Sequence, residues 1–172
     1  MGSYREAIDA YTAGEDPAPT IEGHRQQGRV KSGTGLNVVQ PLPRHVRAFA
    51  RAGWNGGDSE SFAYTEVNSS ASGGLDVAGD GWHRSSDRFG VALVSNGLSD
   101  AHRDYLRLGG LGFLLGDGTL TYGRETIVET YYTARLWRGL FASGGLQYLV
   151  HPGYNRDRGP VTVVAARVHL DL

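Results

Sequence analysis

The last twelve residues divide by parity: Thr162, Val164, Ala166, Val168, Leu170 and Leu172 fall on one side, and Val161, Val163, Ala165, Arg167, His169 and Asp171 on the other, so that Arg, His and Asp share one face opposite an apolar one. A period of two belongs to a strand and cannot place one face of a helix against a core. The same period runs through 140–150, where Leu140, Ala142, Gly144, Leu146, Tyr148 and Val150 oppose a parity holding Ser143 and Gln147. It recurs in 126–138, where Val128, Tyr132, Ala134 and Leu136 oppose Glu129, Thr133 and Arg135, and in 44–54, where Val46, Ala48, Ala50, Ala52 and Trp54 oppose His45, Arg47, Phe49 and Arg51. A two-faced sheet follows. Alternation alone fits both a soluble sheet with water on its charged side and a barrel with lipid on its apolar side.

Candidate strands fall at about 29–42, 45–54, 60–69, 73–82, 88–97, 125–138, 140–150 and 161–171, punctuated by Gly, Asn, Asp or Pro. The chain is therefore expected to be all-β, an antiparallel meander of about eight strands forming a transmembrane β-barrel or half-barrel. Asn55-Gly56-Gly57-Asp58 reads as a tight turn. Residues 1–28 differ: Ala7, Ile8 and Tyr11 recur at three and four across 4–13, and Gly14 with the Pro-rich 15–19 stops that pattern. The expected organisation is an N-terminal tail with a short helix, 1–28, followed by a barrel segment, 29–172.

No stretch of 18 apolar residues is present, so no helical membrane span is expected, whereas a barrel strand needs only about 9–11 residues. Two features favour lipid on the apolar parity. Small residues there, such as Ala48, Ala50, Ala142 and Ala166, would fill a soluble core poorly. Trp54, Trp82, Tyr131, Tyr132, Trp137 and Tyr148 lie near strand ends, where interfacial girdles form. The net charge of -1 gives nucleic acid no reason to bind, and the absence of cysteine removes disulfides and thiolate metal sites. No charged head followed by an apolar stretch opens the chain, so no signal peptide is expected in it.

Several stretches carry a resemblance: residues 49–57 (Phe-Ala-Arg-Ala-Gly-Trp-Asn-Gly-Gly), 88–92 with 96–99, 102–106, 109–118, 129–132, 147–148, 152–161 and 167–169. In combination they resemble the C-terminal part of the carbohydrate-selective porins of the OprB family, from about Lys31 to the end. The resemblance implies a Gram-negative outer-membrane location, passive diffusion of mono- or oligosaccharides, and a pore of about 16 strands, monomeric or trimeric according to the member. About eight strands make half of such a wall. The implied partners are therefore membrane lipid, sugars, and either another copy or the missing half of the barrel. Family members tend to end in an aromatic residue, and this chain ends in Leu172.

A hydrated interior that handles sugars needs planar donors and acceptors on the charged parity. Arg47, Arg51, Glu129, Arg135, Gln147, Arg167 and His169 have that parity, with Glu66, Tyr64 and Asp76 as weaker candidates. The long connection 98–123 is expected to carry a short helix over 100–108 capped by Ser99, and to pack on the rim or fold inward. Arg156, Asp157 and Arg158 are expected to pair among themselves. No catalytic set is expected: no G-x-S-x-G is present, and no spacing joins Glu66 to Glu129 or Asp87 to Asp157. His102, His151 and His169 lack zinc-ligand spacing, so neither metal nor cofactor is expected. The alternative to a porin segment is a small β-barrel module that binds carbohydrate, or serves structurally, without transport.

Overall fold

The computed structural model describes residues 1–61 and 66–171. Seven strands form one antiparallel sheet in chain order: β1 (Gly33–Leu42), β2 (Val46–Asn55), β3 (Ser69–Gly79), β4 (Arg84–Gly97), β5 (Glu125–Trp137), β6 (Leu140–Val150) and β7 (Val161–Leu170). The sheet is open, with β1 and β7 at its edges. Among the described residues two α-helices lie outside it, α1 (Tyr4–Thr12) and α2 (Asp100–Arg107), and neither is long and apolar enough to cross a membrane.

The connections differ sharply between the two ends. At one end the chain reverses within 43–45, 80–83 and 138–139, using left-handed backbone at Arg44 and His45, at His83 and at Gly139. At the other, 98–124, 151–160 and the described parts of the connection between β2 and β3 make long excursions, joined by residues 1–32 leading into β1. The expected tight turn at Asn55–Asp58 is instead the start of the first excursion. Asn55 is held to the returning chain, its N–H donating to Asn68 O at 2.9 Å and its Nδ2 to Val67 O at 2.8 Å, so the strand pair closes only at Asn68.

The strand expected at 60–69 lies partly outside the described residues; its described flanks are not strand, and β3 begins at Ser69. The segment expected at 73–82 ends at Gly79, because a bulge at Ala78/Gly79 and a 3-10 turn over Asp80–Trp82 take the chain out of the ladder. The helix expected over 4–13 is α1, capped by the Ser3 side chain, and that expected over 100–108 is α2, capped by Ser99 Oγ accepting from His102 N at 3.2 Å.

The buried hydrophobic cluster sits outside the strands. Tyr4, Ala7, Ile21, Leu98, Ala101, Tyr105, Leu106 and Tyr154 pack together at the long-loop end. The strands instead expose large apolar side chains: Leu36, Leu75, Leu93, Val128, Leu146, Val164 and Val168 all lie on one face, and Val168 is 74% exposed. A soluble sheet would bury that face. Here the packed core belongs to the loops, and the sheet is a wall with two distinct surfaces.

Candidate functional site

Cross-strand registers place all seven candidate residues on the face opposite those apolar side chains. Along β4, β5 and β6 the side chains of this charged face are mostly half-buried, while their outward neighbours Leu93, Val128, Leu146 and Tyr148 are exposed. Successive rungs then assemble the polar groups. Glu129 stands directly opposite Gln147. Arg47 stands opposite Asp76, Asp76 opposite Gly90 and Gly90 opposite Tyr131. Ser143 stands opposite Arg167, and Phe141 opposite both Arg135 and His169 near the short-turn end.

The tightest constellation centres on Asp76, which is 4% exposed. Arg47 Nε donates to Asp76 Oδ2 at 2.6 Å from one side, and Arg88 Nη1 donates to Oδ1 at 2.6 Å from the other. Each guanidinium keeps about half of its side chain exposed, 52% for Arg47 and 49% for Arg88, so both retain donors toward solvent. Arg51 Nε donates to Asn37 Oδ1 at 3.0 Å and lies 5.5 Å from the Phe49 ring centroid. Arg135 is tied to the rim through Trp137 O at 3.3 Å and Ser86 Oγ at 3.3 Å, and His169 Nε2 meets the Asp171 carboxylate at 2.5 Å. Arg51, Glu129 and Gln147 thus lie within their strands on rungs close to the rung of Arg47, whereas Arg47, Arg135 and His169 sit near the short-turn ends of theirs.

Arg88 was not among the residues picked out by parity, although its face is theirs; only the β3–β4 register brings it to Asp76. Tyr131 is corrected. It does not belong with the girdle aromatics, because it faces the charged side, opposite Gly90. Trp54, Trp82, Tyr132, Trp137 and Tyr148 remain exposed, and Trp82 Nε1 donates to Tyr132 OH at 3.1 Å at the short-turn end. That hydroxyl in turn donates to buried Asp87 at 2.5 Å.

Among the weaker candidates, Tyr64 lies outside the described residues and Glu66 lies off the wall. The Glu66 carboxylate accepts from Phe113 N at 3.2 Å and Leu114 N at 3.1 Å, so it holds the glycine-rich part of 98–124. Burial lowers the affinity of neighbouring Lys31 for its proton, with Glu66 opposing that shift. The expected pairing of Arg156, Asp157 and Arg158 with one another is also corrected. Arg158 pairs with Asp117, and Asp157 accepts from Thr121 Oγ1 at 2.7 Å, because the 151–160 excursion lies against 98–124. Among the described residues no group of three His, Asp or Glu side chains is close enough to hold a metal ion.

At the long-loop end, His102 is 1% exposed, stacked on Tyr4, with Nδ1 3.2 Å from Asn68 Oδ1. Burial, assisted by Lys31, pushes the imidazole pKa down to about 3, and burial raises that of the Tyr4 hydroxyl.

The family described as "Carbohydrate-selective porin, OprB family" matches residues 3–172. No curated protein matches the chain. Among solved structures, "High pH structure of Pseudomonas putida OprB" is similar with a TM-score of 0.68 at 18% identity, over 81% of this chain and 35% of that one. The chain therefore spans about a third of the length of that relative, and the likeness is one of fold.

Proposed function

Because the chain belongs to the OprB family of carbohydrate-selective porins, we propose that it is a wall segment of an outer-membrane pore through which sugars diffuse passively. The apolar face of the sheet lies against lipid. The face bearing Arg47, Arg51, Glu129, Arg135, Gln147, Arg167 and His169 borders the water-filled passage. The observation that carries this reading is the inversion of burial: large aliphatic side chains of the strands are exposed on one face, while charged groups gather on the other. The asymmetry of short turns and long excursions supports it, since barrels of the outer membrane have short periplasmic turns and longer extracellular loops. On this reading residues 1–28 form part of a cap over the outer end together with the long excursions, and the strands within 29–172 are the wall.

The free edges of β1 and β7 leave unpaired backbone groups, which lipid cannot satisfy. Further strands, from the rest of a longer barrel or from a second copy, pair with them. The function is conduction and not catalysis.

The test is reconstitution of the purified protein into liposomes, with swelling measured in isosmotic hexose against a larger oligosaccharide, alongside conductance in planar bilayers. Swelling that falls with sugar size, together with discrete conductance steps, is expected. A protein that stays monomeric without detergent and gives neither swelling nor steps would show a soluble module instead.

A further inference from the structure

On the charged face two aromatic side chains lie down along the wall instead of standing off it. Phe49 on β2 is directly opposite Gly74 on β3, and its ring occupies the space that a Cβ at Gly74 would need. Tyr131 on β5 is directly opposite Gly90 on β4, and its ring and hydroxyl fill the corresponding space there. With no Cβ beneath, each ring leans across a neighbouring strand, so the two converge from either side of the β3–β4 pair. Gly74 pairs with Ala92 and Gly90 with Asp76, which makes the two resting places diagonal neighbours, about 7–8 Å apart. Both side chains are half-buried, leaving ring surface open to the passage.

The polar groups beside this pair are fixed. Asp76 holds Arg47 and Arg88 in place, at 2.6 Å each, and Arg51 reaches over the Phe49 ring. Sugars have an apolar face of axial C–H bonds and a rim of hydroxyls. An aromatic surface bordered by planar guanidinium donors complements both. We infer that Phe49 and Tyr131 form a stacking platform for a pyranose ring, with Arg47 and Arg88 donating to its hydroxyls. This rests on the reading that the charged face borders a sugar pathway. The platform gives that pathway a defined resting site for the sugar on β2–β5.

The experiment is saturation-transfer NMR of glucose with the full chain in a sugar-free detergent such as dodecylphosphocholine, with far-UV circular dichroism to verify the fold. The wild type should transfer saturation to the C–H protons of glucose. Tyr131→Leu and Phe49→Leu keep apolar volume but remove the ring face, and each should weaken transfer by about five- to tenfold. Tyr131→Phe should restore it, and Leu93→Ala on the opposite face should leave it unchanged. If both Leu variants bind as the wild type does, while Arg51→Gln or Arg167→Gln loses the signal, the platform is overturned and the sugar-facing wall stands. If the wild type shows no transfer, the sugar reading fails and the platform with it.

Discussion

Tyr4 of α1 and His102 of α2 stack with ring centroids 4.2 Å apart and planes 13° from parallel, which joins the N-terminal segment to the connection between β4 and β5. Both rings are almost fully buried, and among the described residues neither the Tyr4 hydroxyl nor His102 Nε2 has a hydrogen-bond partner. A buried polar atom without a partner is a cost, while the ring that carries it contributes packing. Tyr4→Phe is therefore expected to leave the cap as stable or slightly more so, and Tyr4→Ala to destabilise it by about 3–5 kcal/mol. Amide exchange across α1 and α2 measures this; equal protection in Tyr4→Ala and the wild type would contradict it.

The same burial makes the cap sensitive to acid. The imidazole of His102 is held neutral, with its pKa lowered to about 3, first by burial and then by Lys31. A depressed pKa contributes stability that is present above the unfolded value, about 6.5 for histidine, and lost as pH falls toward the folded one. Protection of α1 and α2 should thus decline between those two values, as the unfolded cap takes up a proton the folded one resists. His102→Gln should flatten that decline, read as exchange rates in α1 and α2 over the same pH series.

Glu66 acts as a latch on 109–118. Its two carboxylate oxygens take the N–H groups of Phe113 and Leu114, and a Cβ at Gly112 would collide with them. Bonds to a charged acceptor contribute about 1.5–3 kcal/mol, so Glu66→Ala should release this segment. Limited proteolysis is the direct measurement: cleavage within 109–118 should rise in Glu66→Ala while the sheet remains intact. Gly112→Val should produce the same pattern from the opposite partner.

The wall was legible in the sequence because each strand separates two environments, and that separation is written as period two in the strand itself. Val164, Val168 and Leu146 announce their face whatever they pair with. Pairing across strands leaves no such mark. Tyr131, beside Tyr132, reads as a girdle aromatic until its place at the middle of β5 and its opposite, Gly90, are known, and Arg88 is unremarkable until β3 brings Asp76 to it. The cap was hidden for a related reason. Tyr4, Ile21, Leu98, Tyr105 and Tyr154 come from segments far apart in the chain, and the apolar period over 4–13 marks a helix without saying what it packs against. The pairing of Arg158 with Asp117 joins two separate excursions in the same way, where neighbouring charges in sequence suggested a local match.

The two faces of the wall should tolerate charge in opposite ways. Leu93 lies mid-strand on the apolar face and is 53% exposed, whereas Ser72, one strand away, faces the charged side. Arginine is long enough to rest on either surface, so the contrast lies in what its guanidinium meets. Against lipid at mid-depth it costs about 2–4 kcal/mol, and against a hydrated passage very little. Leu93→Arg should therefore lower the urea midpoint of unfolding in lipid vesicles, and Ser72→Arg should leave it near the wild-type value. In a soluble sheet Leu93→Arg would place its charge in water and be tolerated, so equal midpoints for the two variants would assign the apolar face to something other than lipid.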